Sequence, residues 1–162
     1  MALLTVPAEQ PFVGLVLAFP DSGSASITGT TTETTLYTYD IPAYVPGKNG
    51  RLIIETWWNA TANANAKTPR IKAGATTLLT GSLTTAGAFV DRRIVAWNND
   101  HSSQFTYLGS HTGGWHTAST ALPTALALDG TGPLMLTFTG QLADAGDTIR
   151  LVAVFIDGVY RN

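Results

Sequence analysis

Short strand-like segments follow one another along this chain, and no helical period separates them. No stretch keeps apolar residues at 3.6-residue spacing for three turns, so helix can be only incidental. Threonine, a strand-favouring residue, occurs 25 times, and Gly, Pro, Asn and Asp interrupt the segments. Strands at this spacing predict an all-β fold, an antiparallel β-sandwich of the jelly-roll type. The predicted strands are residues 12–19, 35–41, 51–58, 68–73, 75–80, 88–97, 103–108, 133–139 and 148–156.

Two segments indicate how these strands should pack. The last two strands are joined by QLADAG, in which Gly146 can take the positive φ of a tight hairpin loop. The segment 51–58, RLIIETWW, is apolar on both faces apart from Glu55, which predicts a central strand covered on both sides. Because successive side chains of a strand point to opposite faces, Trp57 and Trp58 cannot form one platform. At least one of them is expected in the core.

The chain is expected to form one domain with an extended segment in front of it. Its 162 residues fit a domain of common size, and we expect residues 31–162 to form the sandwich and residues 1–30 an N-terminal extended arm. No Lys or Arg precedes the apolar run of the arm, which prolines interrupt and which is too short to span a bilayer. Neither an export signal nor a membrane anchor is therefore expected. We expect the arm to pack on a neighbouring subunit or partner through Phe12, Val13, Leu15, Val16, Leu17 and Phe19.

The low charge of the chain bears on its partners. Charged residues make up 12%, about half the usual share of ~25%. Such a surface is poorly protected against association, so we expect buried subunit contacts on Thr-rich and aromatic faces of the sandwich. A net charge of −2 and a pI of about 5.8 argue against nucleic acid as a partner. The basic residues Lys67, Arg70, Lys72, Arg92 and Arg93 are interpreted as a solvated face balanced by nearby acids.

The sequence holds no recognisable catalytic or metal-binding pattern. His101, His111 and His116 lie close to Asp100, but their spacing matches no zinc-ligand pattern, and no cysteine is present. G-x-S-x-G, H-E-x-x-H and a Gly-rich phosphate loop before a helix do not occur. We therefore expect a non-enzymatic protein without metal or cofactor.

Residues 98–132 are the region where recognition of a ligand would be expected. They are rich in Gly, Ser, His, Thr and Asn and are predicted mainly as long loops, where binding usually occurs in a sandwich. Aromatic rings there could stack on sugars, and Trp115 stands between glycines and a histidine. Buried packing is the competing interpretation for each tryptophan. The candidate recognition residues are Trp97, His101, His111, Trp115 and His116.

Two stretches resemble small virion proteins of tailed bacteriophages. The first is LYTYDIPAYVPGKNGRLIIETWWNATANANAKTPRIKAGATTL, and the second is LTFTGQLADAGDTIRLVAVFI. In the family pattern a strand ends in Ile-Pro, a turn leads into a strand with a Trp, and an Asn-rich turn precedes Lys-Thr-x-Arg. The two stretches cover about 65 of the 162 residues. Pro69 within the Lys-Thr-x-Arg stretch and the whole of residues 98–132 depart from the pattern.

The resemblance implies a structural role on a virus particle. Such proteins are jelly-roll modules of capsid decoration proteins, head fibres and tail fibres, they are often trimeric, and they have no catalytic residues. We therefore expect a homotrimer that assembles in the host bacterial cytoplasm and binds the major capsid protein or another virion protein. A capsid decoration protein that stabilises the shell is the first expectation. The alternative is a tail-fibre or receptor-binding module that contacts a host-surface glycan through loops 98–117.

Overall fold

The protein is all-β, and its strands form two antiparallel sheets. The computed structural model describes residues 25–45, 47–106, 123–159 and 161, and the backbone of residues 11–12 and 16–17. No helix occurs in these ranges. The strands are β1 (Pro11–Phe12), β2 (Val16–Leu17), β3 (Ser26–Ile27), β4 (Thr34–Ile41), β5 (Arg51–Ala60), β6 (Lys67–Ala73), β7 (Thr76–Thr80), β8 (Ala88–Trp97), β9 (Gln104–Thr106), β10 (Thr124–Leu126), β11 (Leu134–Leu142) and β12 (Ile149–Val159).

The strand order places β5, β8 and β12 at the centre of the larger sheet. Sheet I has eight strands in the order β1-β12-β5-β8-β9-β10, and β2 and β3 also pair with β12. Sheet II has four strands in the order β4-β11-β6-β7. All pairs between these strands are antiparallel. This arrangement confirms the predicted all-β class and is consistent with a β-sandwich.

One apolar core joins the two sheets. It includes Leu52, Ile54 and Trp58 of β5 together with Ile71 of β6 and Phe138 of β11, each at most 1% exposed. Every second residue of these strands enters the core, as the alternation of strand side chains requires. The prediction that one member of the tryptophan pair lies in the core is confirmed, because Trp58 is 1% exposed and its indole Nε1 donates to Thr56 Oγ1 over 2.9 Å.

Gly140 marks a close approach between the sheets. A Cβ at this position of β11 would lie 2.8 Å from Ile149 Cγ2 and 2.9 Å from Ile27 Cδ1, closer than real Cβ contacts. Ile149 belongs to β12 and Ile27 to β3, so both neighbours come from sheet I. Glycine is therefore required here by packing.

The first part of the predicted arm pairs with the last strand of the same chain. The backbone of Phe12 pairs with Gly158, Val16 pairs with Phe155, and Ile27 pairs with Ile149. Ala25 and Ile27 belong to the core, although the predicted arm extended to residue 30. Contact of the arm with a neighbouring subunit stays a prediction, and three of its proposed contact residues, Val13, Leu15 and Phe19, lie outside the described residues.

Candidate interaction surface

The outer side of sheet I carries a continuous set of apolar side chains, which we call the apolar face. Alternation turns these residues away from the core, and strand pairing brings them side by side. Ile53 of β5 is opposite Ile94 of β8, and Trp57 is opposite Val90. The apolar face consists of Ile53, Trp57, Val90, Ile94, Phe105 and Phe155.

These side chains are unusually exposed for their size. Val90 is 58% exposed, Ile94 46%, Trp57 44% and Phe105 40%. They are four of the six large hydrophobic residues that are exposed in the described part of the chain. Single exposed apolar residues are ordinary, but a contiguous group on one flat sheet marks an interaction site.

Two opposite charges lie within the apolar face. Glu55 of β5 is directly opposite Arg92 of β8, a placement in which opposite charges favour strand pairing. Glu55 Oε1 also accepts a hydrogen bond of 2.8 Å from the indole Nε1 of Trp57. The Trp57 ring packs on Phe155 of β12 with centroids 5.7 Å apart. The polar groups of this face are thus held in fixed positions among the apolar ones.

An open cleft continues the apolar face at one end of sheet I. Its volume is about 300 Å³, and it includes outer-face residues of β5, β8 and β12. Ala96 in its wall is the β8 residue opposite Phe105, which connects the cleft with the apolar face. The residues that line it are Asn49, Gly50, Arg51, Ala96, Trp97, Val159 and Arg161.

The outer side of sheet II has the opposite character. Cross-strand rows on this side are mainly threonine, as in Thr38, Thr137, Lys72 and Thr77 of four successive strands. A second row consists of Thr35, Thr139, Arg70 and Thr80.

Glu33 is the centre of the charge network on sheet II. Its Oε2 accepts a hydrogen bond of 3.1 Å from Arg70 Nη1, and its Oε1 accepts from Lys72 Nζ at 2.5 Å and Thr139 Oγ1 at 2.6 Å. The hydrogen bonds from Lys72 and Thr139 and the positive charges of Arg70 and Lys72 hold the pKa of the Glu33 carboxyl below its ordinary value. Arg70 and Lys72 therefore match the predicted outward basic face balanced by an acid.

The other basic residues correct that prediction, because Lys67 and Arg93 are buried. Lys67 is 0% exposed and Arg93 1%. Arg93 donates to Asp91 through two bonds, Nε to Oδ2 at 2.8 Å and Nη2 to Oδ1 at 2.9 Å. The sequence interpretation treated these residues as one patch, but alternation separates them. Lys67 and Arg93 turn inward, whereas their basic neighbours at positions 70, 72 and 92 turn outward.

The prediction that both faces of β5 are buried is also wrong. The strand is central, as expected, with β12 on one side and β8 on the other. Its inner residues are buried, but Trp57 on the outer side is 44% exposed. Apolar residues on both faces of RLIIETWW were interpreted as burial on both faces. The same pattern could have predicted the apolar face, whose members Val90, Ile94 and Phe105 were missed.

The structure brings together two of the candidate recognition residues. Trp97 is 5% exposed, and its Nε1 donates to the backbone oxygen of His101 over 3.2 Å. The His101 ring makes an edge contact with Tyr44 at 5.2 Å. Gln104 supports the same turn by donating to the His101 oxygen at 2.8 Å. Trp97 thus packs as a core residue, and the remaining candidates, His111, Trp115 and His116, lie outside the described residues.

Neither a metal-binding group nor a membrane-spanning helix occurs in the described ranges. They contain no group of three or more His, Cys, Asp or Glu side chains that could hold a metal ion. They also contain no helix of the length and apolar character needed to cross a membrane.

Comparison with known proteins gave no relative. No family model matches the chain, and neither a curated protein nor a solved structure matches it.

Proposed function

We propose that this protein is a non-enzymatic structural protein of a tailed-phage virion, a homotrimeric jelly roll that decorates and stabilises the capsid. The observation that carries the proposal is the apolar face of sheet I, a surface suited to burial between subunits. The virion context comes from the resemblance of residues 36–78 and 136–156 to small virion proteins.

The strand order supports the jelly-roll assignment. In sheet I, β3 pairs with β12, β12 with β5 and β5 with β8, whereas in sheet II, β4 pairs with β11, β11 with β6 and β6 with β7. The chain changes sheet between β3 and β4, β4 and β5, β5 and β6, β7 and β8, β10 and β11, and β11 and β12. This order results when one long antiparallel hairpin winds around a common core, which is the jelly-roll arrangement.

The apolar face supports self-association. Full burial of a large apolar side chain contributes roughly 1.5–3 kcal/mol, so completing the burial of a half-exposed one contributes about 1 kcal/mol. Val90, Ile94, Trp57 and Phe105 would together contribute several times this amount per subunit. Glu55 and Arg92 oppose each other within the face, which lowers the cost of enclosing them. The threonine-rich side of sheet II stays in water in such an assembly.

A decoration protein would act on the shell by mass action. It binds the assembled capsid lattice and not the separated capsid subunits, so binding shifts the equilibrium toward the intact shell. This mechanism needs several fixed contact surfaces and no reacting group. A trimer built on the apolar face presents three copies of the arm, and the arm would contact the major capsid protein.

The test uses purified full-length protein and expanded capsids of the phage. We expect co-sedimentation with the capsids, a higher capsid melting temperature and no labelling of host cells. Removal of residues 1–20 should abolish capsid binding, and unchanged binding would contradict the role of the arm. Localisation on the intact particle by cryo-electron microscopy tests the virion assignment directly.

The receptor-binding alternative predicts the reverse pattern. The protein would then label host cells or bind glycans and would leave capsid melting unchanged. Trp115→Ala should abolish that labelling, because Trp115 is the aromatic residue proposed for sugar stacking. Labelling that depends on Trp115 would replace the decoration proposal.

A further inference from the structure

Two buried charged residues and a half-buried amide form a cluster where the β5–β6 connection meets the β11–β12 turn. Lys67 opens β6 and is 0% exposed, and Asp147 of the turn is 3% exposed. Asn63 of the β5–β6 connection lies between them and contacts both. We propose that Lys67 and Asn63 become joined by an intramolecular isopeptide bond, with Asp147 as the acid and base of the reaction. This modification is independent of the proposed function.

The side-chain amide of Asn63 has a defined orientation. Lys67 Nζ donates a hydrogen bond to Asn63 Oδ1, and Asn63 Nδ2 donates to Asp147 Oδ1 over 2.5 Å. An ammonium group can only donate and a carboxylate can only accept, so the reverse orientation of the amide would lose both bonds. The attacking amine therefore lies at the carbonyl, and the leaving nitrogen lies at the acid. Transfer of the amide from ammonia to lysine needs the amine and the acid at these two ends of the carboxamide.

Asp147 is also placed to accept the proton that Lys67 must lose. Its second oxygen, Oδ2, lies 3.9 Å from Lys67 Nζ. Among the described residues this buried oxygen accepts no hydrogen bond. A proton passed from the ammonium to this oxygen replaces the two charges with two neutral groups. The amine is left with the free electron pair that a nucleophile needs.

A backbone group stabilises the charge that develops during attack. The N–H of Asn65 donates to Asn63 Oδ1 over 3.0 Å. When the amine adds to the carbonyl carbon, negative charge moves to this oxygen. A fixed N–H aimed at a developing oxyanion lowers the barrier, as in the oxyanion holes of acyl-transfer enzymes. Nucleophile, electrophile, proton acceptor and oxyanion donor thus occur together in one partly buried cluster.

The reaction balances without any added reagent. Asp147 takes a proton from Lys67, and the electron pair on Nζ attacks Cγ of Asn63. The attacking nitrogen then passes a second proton through Asp147 to Nδ2. The Cγ–Nδ2 bond breaks, the Cγ–Oδ1 double bond forms again, and ammonia leaves with the proton that Asp147 still holds, which gives ammonium and restores the Asp147 carboxylate. Overall, one lysine ammonium and one carboxamide give one secondary amide and one ammonium ion.

The product leaves its one remaining N–H with an acceptor, although the bond from Asn63 Nδ2 to Asp147 and the other hydrogen bonds of the ammonium group are lost. The single N–H of the new amide can donate to the Asn65 backbone oxygen, which is already 2.7 Å from Nζ. The backbone oxygen of Thr84 still accepts a hydrogen bond of 3.3 Å from the backbone N–H of Asn63. The chain loses one positive charge, so its formal net charge of −2 becomes −3. A buried cation that needs several acceptors is replaced by a neutral covalent link that closes the β5–β6 connection.

Mass spectrometry of the intact full-length protein tests this proposal. We expect a mass about 17 Da below that calculated from the sequence, because one ammonia is lost when an amine displaces an amide nitrogen. Trypsin should fail to cleave after Lys67, and fragmentation should identify residues 52–70 as one peptide with an internal ring between Asn63 and Lys67. A wild-type mass equal to the sequence mass after long incubation would overturn the proposal, whatever the variants do.

Two variants separate this reaction from other losses of ammonia. Lys67→Met should carry the full sequence mass, whereas the same loss of about 17 Da in this variant would indicate a succinimide at Asn63 and overturn the proposal. Asp147→Asn should slow the mass change by at least about 100-fold, the usual contribution of a general acid or base. Unchanged kinetics in Asp147→Asn would remove Asp147 from the mechanism.

Discussion

The outer faces of the two sheets follow the same alternation and yet differ in the side chains that they expose, although sheet II also exposes one large apolar residue, Met135. On sheet I, Val90 and Ile94 are about half exposed beside Trp57. On sheet II, the equivalent positions are threonines, such as Thr137 in the middle of β11. Threonine and valine both favour strands, so fold formation does not decide between them. The choice of side chain on each face is therefore not set by strand formation, and the apolar choice on sheet I is the basis of the proposed subunit contact.

The two faces also differ in how they hold charge. On sheet I, Glu55 accepts a hydrogen bond from the Trp57 indole and lies directly across from a single cation, Arg92. On sheet II, Glu33 contacts two partly exposed cations and the hydroxyl of the buried Thr139. A neutral pair among apolar side chains can be enclosed at low cost, whereas an open network would lose its water shell. Charge placement and apolarity thus favour the same face for contact.

The largest expected effect comes from placing a charge on each face in turn. Ile94→Lys should weaken subunit association by at least about 100-fold, because an uncompensated buried charge costs several kcal/mol. Sedimentation equilibrium should show a wild type near three times the chain mass of 17.1 kDa and a variant near one. Thr137→Lys, at the centre of sheet II, is the matched control and should leave the mass unchanged. Dissociation by Thr137→Lys alone would reverse the assignment of the two faces.

The sequence predicted the long strands because their patterns are strong. The predicted segments 35–41, 51–58, 88–97, 133–139 and 148–156 overlap strands β4, β5, β8, β11 and β12. Strands β3 and β10 have two and three residues, which is too short for any period to appear. The split of Trp57 and Trp58 between two faces was also predicted correctly, because it depends only on alternation.

The site was harder to predict than the fold. Apolar residues on both sides of β5 indicated burial on both sides, and only the structure shows that one side faces water. Basic residues adjacent in sequence were grouped together, although Arg92 and Arg93 necessarily face opposite ways. The cluster of Asn63, Lys67 and Asp147 joins residues 84 positions apart and depends on the pairing of the sheets. A sequence pattern alone cannot show that residues so far apart in the chain are in contact.

A smaller effect is expected from the charge network of sheet II. Glu33→Gln should lower the free energy of unfolding by about 1 kcal/mol at pH 7, a modest value because the network is partly open to water. The pKa of the Glu33 carboxyl is lower in the folded protein than its ordinary value of 4.5. Its charge therefore stabilises the fold above pH 4.5, and this contribution is lost as the pH falls through the lowered pKa.

Urea unfolding at a series of pH values measures this contribution. The difference between wild type and Glu33→Gln should be constant above pH 4.5 and shrink below it. Asp40→Asn changes an exposed carboxyl of β4 and serves as the control. A difference that does not depend on pH would mean that Glu33 acts through neutral hydrogen bonds, and the contrast in charge between the two faces would then lose its basis.

The smallest expected effect is that of Trp57→Phe, and it tests whether the apolar face is a true surface of the folded chain. Phenylalanine keeps a ring next to Phe155 and loses only the indole bond to Glu55. At a position 44% exposed, the free energy of unfolding should fall by about 0.5 kcal/mol or less.

Trp58→Phe is the matched control on the other side of the same strand. It removes a buried indole and its hydrogen bond to Thr56. The free energy of unfolding should fall by about 2 kcal/mol, because a buried cavity and an unpaired hydroxyl result. Urea unfolding of both variants gives the comparison. Equal losses at the two positions would mean that the apolar face is enclosed within the folded protomer, and the case for a subunit contact there would fail. A small loss at Trp57 with weaker trimer formation would place its contribution between subunits.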